Sequence, residues 1–187
     1  MASFTVVLDA CVLYPAPLRD LLIRLTVAGI VRARWSDAIL DEMTQNILKN
    51  REDLDAAALT RTRTLMCKAV PDCLVTGYQR LIEAIELPDP KDRHVVAAAV
   101  RAGAQAIVTY NLKDFPDHEL ERWNIEAKHP DEFVMESIDI ARGIAIRCLV
   151  EQAADLKKPP QTPEDILARL HDLGLIRSVA ALRAMLQ

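Results

Sequence analysis

Two unbroken runs, Phe4-Thr5-Val6-Val7-Leu8 and Ala106-Ile107-Val108-Thr109, differ from the rest of the chain, where apolar residues recur at helical spacing. A short apolar and β-branched run is what a strand buried on both faces of a parallel sheet requires. After the first run, Leu18, Leu21, Leu22 and Leu25 predict a helix over Pro17–Ala28, closed by Gly29. Trp35-Ser36-Asp37 opens a second helix with Ser36 as N-cap. Its stripe of Ile39, Leu40, Met43 and Ile47 leaves Glu42 beside the apolar face and turns Asp41 away. Asp53–Val70 reads as a long helix with Arg61-Thr62-Arg63-Thr64 on one face, broken by Pro71-Asp72. Leu74–Thr76 is a short strand candidate and Gln79–Ile85 a short helix. Next, Asp89 is an N-cap, Pro90 fits the first helical position, Asp92 falls at the third, and Val95–Val100 continues to a stop at Gly103. Trp123–Ala127 adds an edge strand. Strands alternating with helices predict an α/β fold built on a parallel sheet.

Beyond Pro130 the pattern is helical only. Asp131–Leu156 reads as one long helix, Lys157–Gln161 as a linker, Thr162-Pro163-Glu164-Asp165 as a capped start leading to Leu173 and Gly174, and Ile176–Leu186 as a last helix. Apolar spacing is strong here (Ile166, Leu167, Leu170, Leu173), but no cluster of acids, cysteines or histidines recurs. This part is therefore expected to serve partner contact rather than chemistry. A chain of 187 residues holds one domain of ordinary size and a small appendage.

Composition narrows the classes. With 51% apolar and 27% charged residues, a core is affordable and disorder is excluded. A net charge of −4 gives no global attraction to nucleic acid, so such contact needs a local basic patch. Cys11, Cys67, Cys73 and Cys148 show no CxxC or zinc-like spacing and read as free thiols, small core residues of a protein in a reducing, cytoplasmic setting. Neither a basic-then-apolar leader nor a run of membrane-spanning length is present in the sequence. His94 and His129 read as ordinary histidines.

Candidate chemistry starts at Asp9, a carboxylate placed directly after a buried strand, where an unpaired charge is costly. In open α/β sheets the C-terminal strand edge is where ligands bind. The Asn111–Asp114 loop follows the second strand, Asp92 opens the helix leading into that strand, and Glu42 flanks an earlier apolar stripe. Carboxylates gathered at one cleft repel one another unless a divalent cation neutralises them. An oxygen-rich site suits Mg²⁺ or Mn²⁺, which can activate water for attack on a phosphodiester. Each acid also has a plainer use. Asp92 would gain ~0.3–1 kcal/mol from a helix dipole; Glu42 fits a solvated helix face; Asp114 fits a turn before Phe115-Pro116. Asp89 is explained by capping. Asp9 has no equally simple alternative.

Four blocks carry a family resemblance: Val7-Leu8-Asp9; Trp35-Ser36 followed by Glu42; Asp89-Pro90-Lys91-Asp92-Arg93-His94-Val95-Val96-Ala97-Ala98-Ala99; and Ile107-Val108-Thr109-Tyr110-Asn111-Leu112-Lys113-Asp114-Phe115-Pro116. In this order and spacing they resemble a PIN domain, and among PIN domains the bacterial branch that includes VapC-type toxins. The resemblance covers residues 4–135. It implies a PIN-like parallel sheet flanked by helices over 1–135, with 136–187 as a helical C-terminal extension. It further implies a Mg²⁺- or Mn²⁺-dependent ribonuclease acting on RNA, a homodimer, and a small antitoxin protein as partner. Asp9, Glu42 and Asp92 match the family's first three acids. The fourth often stands two residues after the strand-ending threonine, Thr109, and that place is Asn111; Asp114 is the substitute, with Asn111 and Thr109 as supporting residues. Cys11 occupies a place where many relatives carry Asn or Ser. Lys91, Arg93 and Lys113 are expected to contact RNA phosphates, with Arg61 and Arg63 on a more distant rim. A haloacid-dehalogenase-type phosphatase would need an Asp where Cys11 stands, and a receiver domain would need an acidic pair that is absent. The remaining rival is a non-catalytic PIN-like module that binds RNA or protein.

Overall fold

The computed structural model describes residues 4–51 and 53–187. Among these residues the sheet has four strands, all parallel, in the order β2-β1-β3-β4: β1 (Thr5–Leu8), β2 (Arg32–Arg34), β3 (Ala106–Val108) and β4 (Glu126–Lys128). β1 lies between β2 and β3, with Val7 opposite both Arg34 and Ile107. All four residues of β1 and all three of β3 are buried, which is why both read as unbroken apolar runs. Parallel strands need crossovers, and helices supply them. Between β1 and β2 run a single turn, α1 (Ala10–Leu13), and then α2 (Ala16–Val27). From β2 to β3 the chain passes through α3 (Asp37–Asn50), α4 (Ala56–Ala69), a 3₁₀ turn at Gln79–Ala84, and α5 (Arg93–Ala102); α6 (Asp117–Leu120) precedes β4.

Local chemistry sets the boundaries. The Ser36 hydroxyl accepts from Ile39 N–H, and the Asp55 carboxylate accepts from Ala58 N–H, so α4 starts three residues later than the periodicity suggests. Gly103 ends α5 in the left-handed conformation (φ +61°), which Gly adopts without a Cβ penalty. Three sequence expectations change. β2 carries only one buried side chain, Ala33, between two arginines, so no apolar run announced it. The edge strand falls on Glu126–Lys128, because 121–123 form a 3₁₀ turn and Asn124 takes a left-handed φ of +54°. Leu74 pairs with Trp35 through an isolated parallel bridge and extends no further.

The expected long helix over 131–156 is two helices, α7 (Pro130–Ile140) and α8 (Arg142–Asp155), separated at Ala141 (φ −152°, ψ +69°). A straight helix of that length would run ~39 Å. Broken at Ala141, α7 lies against α10 (Ile176–Met185) while α8 returns along α2. α9 (Pro163–Asp172) begins with the capping box of Thr162 and Asp165 expected from the sequence. Buried apolar residues from Val6 to Leu182 form one continuous cluster, so the helical C-terminal region shares its core with the α/β part.

Candidate active site

Asp9 is the N-cap of α1, and its side chain is 5% exposed. Oδ1 accepts from Ala10 N–H at 2.7 Å; Oδ2 accepts from the Thr109 hydroxyl at 2.7 Å and lies 3.2 Å from the Cys11 sulfur. The Asp9 N–H bonds the Val108 carbonyl at 3.1 Å, so the end of β1 is stitched to the end of β3 by backbone and side chain together. Thr109 is a hub: its oxygen also accepts from Asn111 N–H at 3.0 Å and sits 3.3 Å from Cys11 Sγ. Cys11 Sγ in turn takes the Tyr110 N–H at 3.3 Å. Burial, then the Asp9 charge, push the Cys11 thiol up to about 12, so it acts here as a neutral hydrogen-bonding group and not as a nucleophile. Burial likewise raises the Asp9 carboxyl above its ordinary range against the lowering effect of Thr109 and Cys11, and the Glu42 charge adds to the rise.

Asp92 ends the 3₁₀ turn Pro90–Asp92 at the start of α5, and its carboxylate makes no capping bond. Asp89 does the capping, accepting from Lys91 N–H at 2.9 Å. Asp92 stays an acid of the first turn, where the helix dipole favours a carboxylate without any hydrogen bond. Its carboxyl is pushed up to about 6, first by burial and then by the charges of Asp9, Asp89, Glu42 and Asp114. Four other carboxylates thus bear on Asp92. Asp114, in the 3₁₀ turn Leu112–Asp114, belongs to this field, while the Asn111 side chain is exposed. Glu42 Oε2 stands 3.7 Å from His94 Nε2, and His94 Nδ1 is buried with no partner among the described residues.

Among the described residues no three His, Cys, Asp or Glu side chains stand close enough together, as placed, to hold a metal ion. The donor chemistry nonetheless fits a hard divalent cation: carboxylate oxygens gather where their mutual repulsion is uncompensated. Glu42 is 44% exposed at its side chain.

Comparison with known families decides the class: the PIN domain profile matches residues 5–113, which include Asp9, Glu42, Asp92, Thr109 and Asn111. The chain belongs to the PIN domain family. A second profile, the VapC50 C-terminal domain, matches residues 130–184, the span of α7 to α10. A curated relative from Mycobacterium tuberculosis (strain ATCC 25618 / H37Rv), named "Putative ribonuclease VapC50", is 42% identical over 94 residues, or 50% of this chain and 55% of that protein. The chain thus matches about half the length of this relative. No solved structure matches the chain.

Around the PIN domain acids the basic residues divide. Lys91 and Lys113 are exposed. Arg93 is half-buried, and its Nε is enclosed without a partner among the described residues. Arg63 is occupied by Asp41 and Asp37, stapling α4 to α3, and is removed from the expected rim; Arg61 is exposed. The His94–Glu42 pair and the Thr109 hub were missed as a set. The two histidine–glutamate partners are 52 positions apart, and Thr109 reaches Asp9 across 100 positions. Tyr110, between Thr109 and Asn111, donates its hydroxyl to the Leu173 carbonyl at 2.9 Å and packs edge-on to His129 at 5.2 Å. The C-terminal helices therefore touch the loop that follows β3.

Proposed function

We propose that this PIN domain protein is a metal-dependent endoribonuclease that hydrolyses RNA phosphodiester bonds, and that it is the toxin of a type II toxin-antitoxin pair. The observation that carries the reading is that Asp9, Glu42 and Asp92 all fall inside the PIN domain match and lie close enough for the charges of Asp9 and Glu42 to bear on Asp92. Asp9, Asp92, Glu42 and Asp114 would hold Mg²⁺ or Mn²⁺, which when bound supplies charge neutralisation and Lewis acidity. Thr109 and Cys11 fix the Asp9 carboxylate in one rotamer, so its position costs little reorganisation. Glu42 or Asp114 accepts a proton from the attacking water. Lys91 and Lys113 neutralise substrate phosphates, and Arg93 supports the same edge. By this reading 1–135 is the nuclease unit, and 136–187 the extension, with α7 straddling the division. The name of the curated relative supports an RNA substrate, and the VapC50 C-terminal match supports kinship with antitoxin-paired proteins. A homodimer in the cytoplasm completes the proposal; among the described residues no helix is long and apolar enough to cross a membrane.

The second reading, a non-catalytic PIN-like module that binds RNA or protein, draws on Asn111 at the fourth-acid place. Cleavage of end-labelled RNA by the purified protein separates the two. Cleavage that needs Mg²⁺ or Mn²⁺, stops with chelator, and is lost in Asp9→Asn at unchanged circular dichroism supports the nuclease. RNA binding without any metal-dependent cleavage gives first place to the module.

A further inference from the structure

A cleft of about 450 Å³ lies away from the acids, between α2 and α4 on one side and α8 and α9 on the other. Its walls are mostly apolar, with Ile23, Leu65, Met66 and Ile166 among them. This is the size and character of a small-molecule site, where a few polar groups set orientation. Three polar groups, Gln152, Arg19 and Arg169, do so here. Gln152 is 1% exposed; its Nε2 donates to the Pro17 carbonyl at 2.9 Å, while its Oε1 is buried with no partner among the described residues. Arg24 is committed to Asp20 and Asp155. Asp20 and Asp155 line the cleft as the partners of Arg24, and the Asp20 charge also bears on Arg19; Arg19 and Arg169 line it too, and among the described residues neither has a carboxylate within ion-pair distance. Arg19 spends one nitrogen on the Leu13 and Tyr14 carbonyls (2.7 and 3.2 Å) and has donors to spare.

We propose that this cleft is a binding site for a small amphipathic anion: an apolar body between α2, α4 and α9, an acidic group facing Arg19 and Arg169, and a hydrogen-bond donor near Gln152. Each requirement answers a group on the walls. Apolar side chains want a carbon body. Arg19, part-buried and without an ion-paired carboxylate, wants an anion, and the exposed Arg169 adds to the attraction. An enclosed amide oxygen without a donor is a cost that an N–H or O–H removes. The carbonyls that Arg19 holds close the last turn of α1, the turn that begins on Asp9. The inference does not rest on the nuclease reading.

A suitable probe is 8-anilinonaphthalene-1-sulfonate, which combines fused rings, a sulfonate and an anilino N–H. Its fluorescence on titration into the full-length protein should saturate at one molecule per chain. Arg19→Met and Gln152→Leu should each weaken binding by about tenfold or more. Arg169→Ala, on an exposed helix face and thus safe for folding, should weaken it in a salt-dependent way. Circular dichroism and a cooperative melt establish that each variant is native. Non-saturating fluorescence, or equal affinity in Arg169→Ala and in whichever of the other two variants is native, overturns the proposal.

Discussion

In the proposed nuclease, Asp114 and Asn111 compete for one role, and their surroundings distinguish them. Asp114 adds its charge to the field on Asp92, whereas the Asn111 side chain is exposed and its contribution to the clasp is a backbone N–H bonded to Thr109. Replacing Asn111 by Ala leaves that bond in place. Asp114→Ala should therefore cost tenfold or more in cleavage rate, about 1.4 kcal/mol of transition-state stabilisation, while Asn111→Ala stays within about threefold. Single-turnover RNA cleavage under saturating Mg²⁺ measures both; the reverse ranking would make Asn111 the working residue. At this scale the sequence disclosed residue types and not their partners. A carboxylate after a buried strand is legible at Asp9 because burial of charge is costly wherever it occurs. That Thr109 and Cys11 hold it, and that His94 faces Glu42, depends on strand register and helix rotation that no local window contains. The same holds for Arg63, whose basic helix face looked available until α3 brought Asp37 and Asp41 against it.

Among the elements, legibility followed how far each is determined by its own residues. β1, β3, α3 and α5 combine full burial or a sharp stripe with explicit caps at Ser36, Asp89 and Gly103, so local chemistry and tertiary need agree. β2 and β4 exist because neighbouring strands offer them hydrogen bonds, and their residues alone, Arg-Ala-Arg and Glu-Ala-Lys, do not demand a sheet. α10 shows the same dependence at a helix end. Its own N-cap, Leu175, has no side-chain bond to give, and Asp131 at the start of α7 supplies it from 46 positions away. The Asp131 carboxylate accepts from Arg177 N–H (3.0 Å), Ser178 N–H (2.8 Å) and the Ser178 hydroxyl (2.6 Å). Burial alone would raise its pKa, but these bonds outweigh burial and hold it below the usual carboxylate range. A lowered folded-state pKa means a stabilisation that is complete above the unfolded value of ~3.9 and is lost as pH falls through the folded value. Asp131→Asn should accordingly lose ~0.5–2 kcal/mol at pH 7, the scale of a helix cap. Urea melts should show that gap shrinking as both proteins are taken below about pH 4. A gap that stays constant down to pH 3 would mean that the ionised carboxylate contributes nothing beyond its shape.

For the molecule as a whole the question is whether the C-terminal helices are an appendage, as the absence of clustered acids, cysteines or histidines beyond position 136 suggested. The acids do all lie earlier in the chain, yet the apolar core makes no such division. Leu149, Ile166, Leu167, Leu170, Val179 and Leu182 are buried in the same continuous cluster as Val6, Leu18 and Val96. Gln152 bonds the Pro17 carbonyl, Arg24 reaches Asp155, and Tyr110 is anchored on Leu173. Removing residues 136–187 would strip α2 of α8 and α9, leaving α1, α4 and β2 against it. Each large apolar side chain returned to water costs ~1.5–3 kcal/mol, against a total stability of about 5–15 kcal/mol for an ordinary domain. Re-exposing a handful is enough to exhaust that margin. The truncated chain should therefore show no cooperative thermal transition, while Tyr110→Phe in the full-length protein, which deletes one hydrogen bond and no packing, should lose only ~1 kcal/mol and melt about 2–4 °C lower. Calorimetry of the two proteins beside the unmodified chain decides it. A truncated protein that melts cooperatively near the parent temperature would show that the α/β part closes its core alone, and that the extension is attached to it rather than built into it.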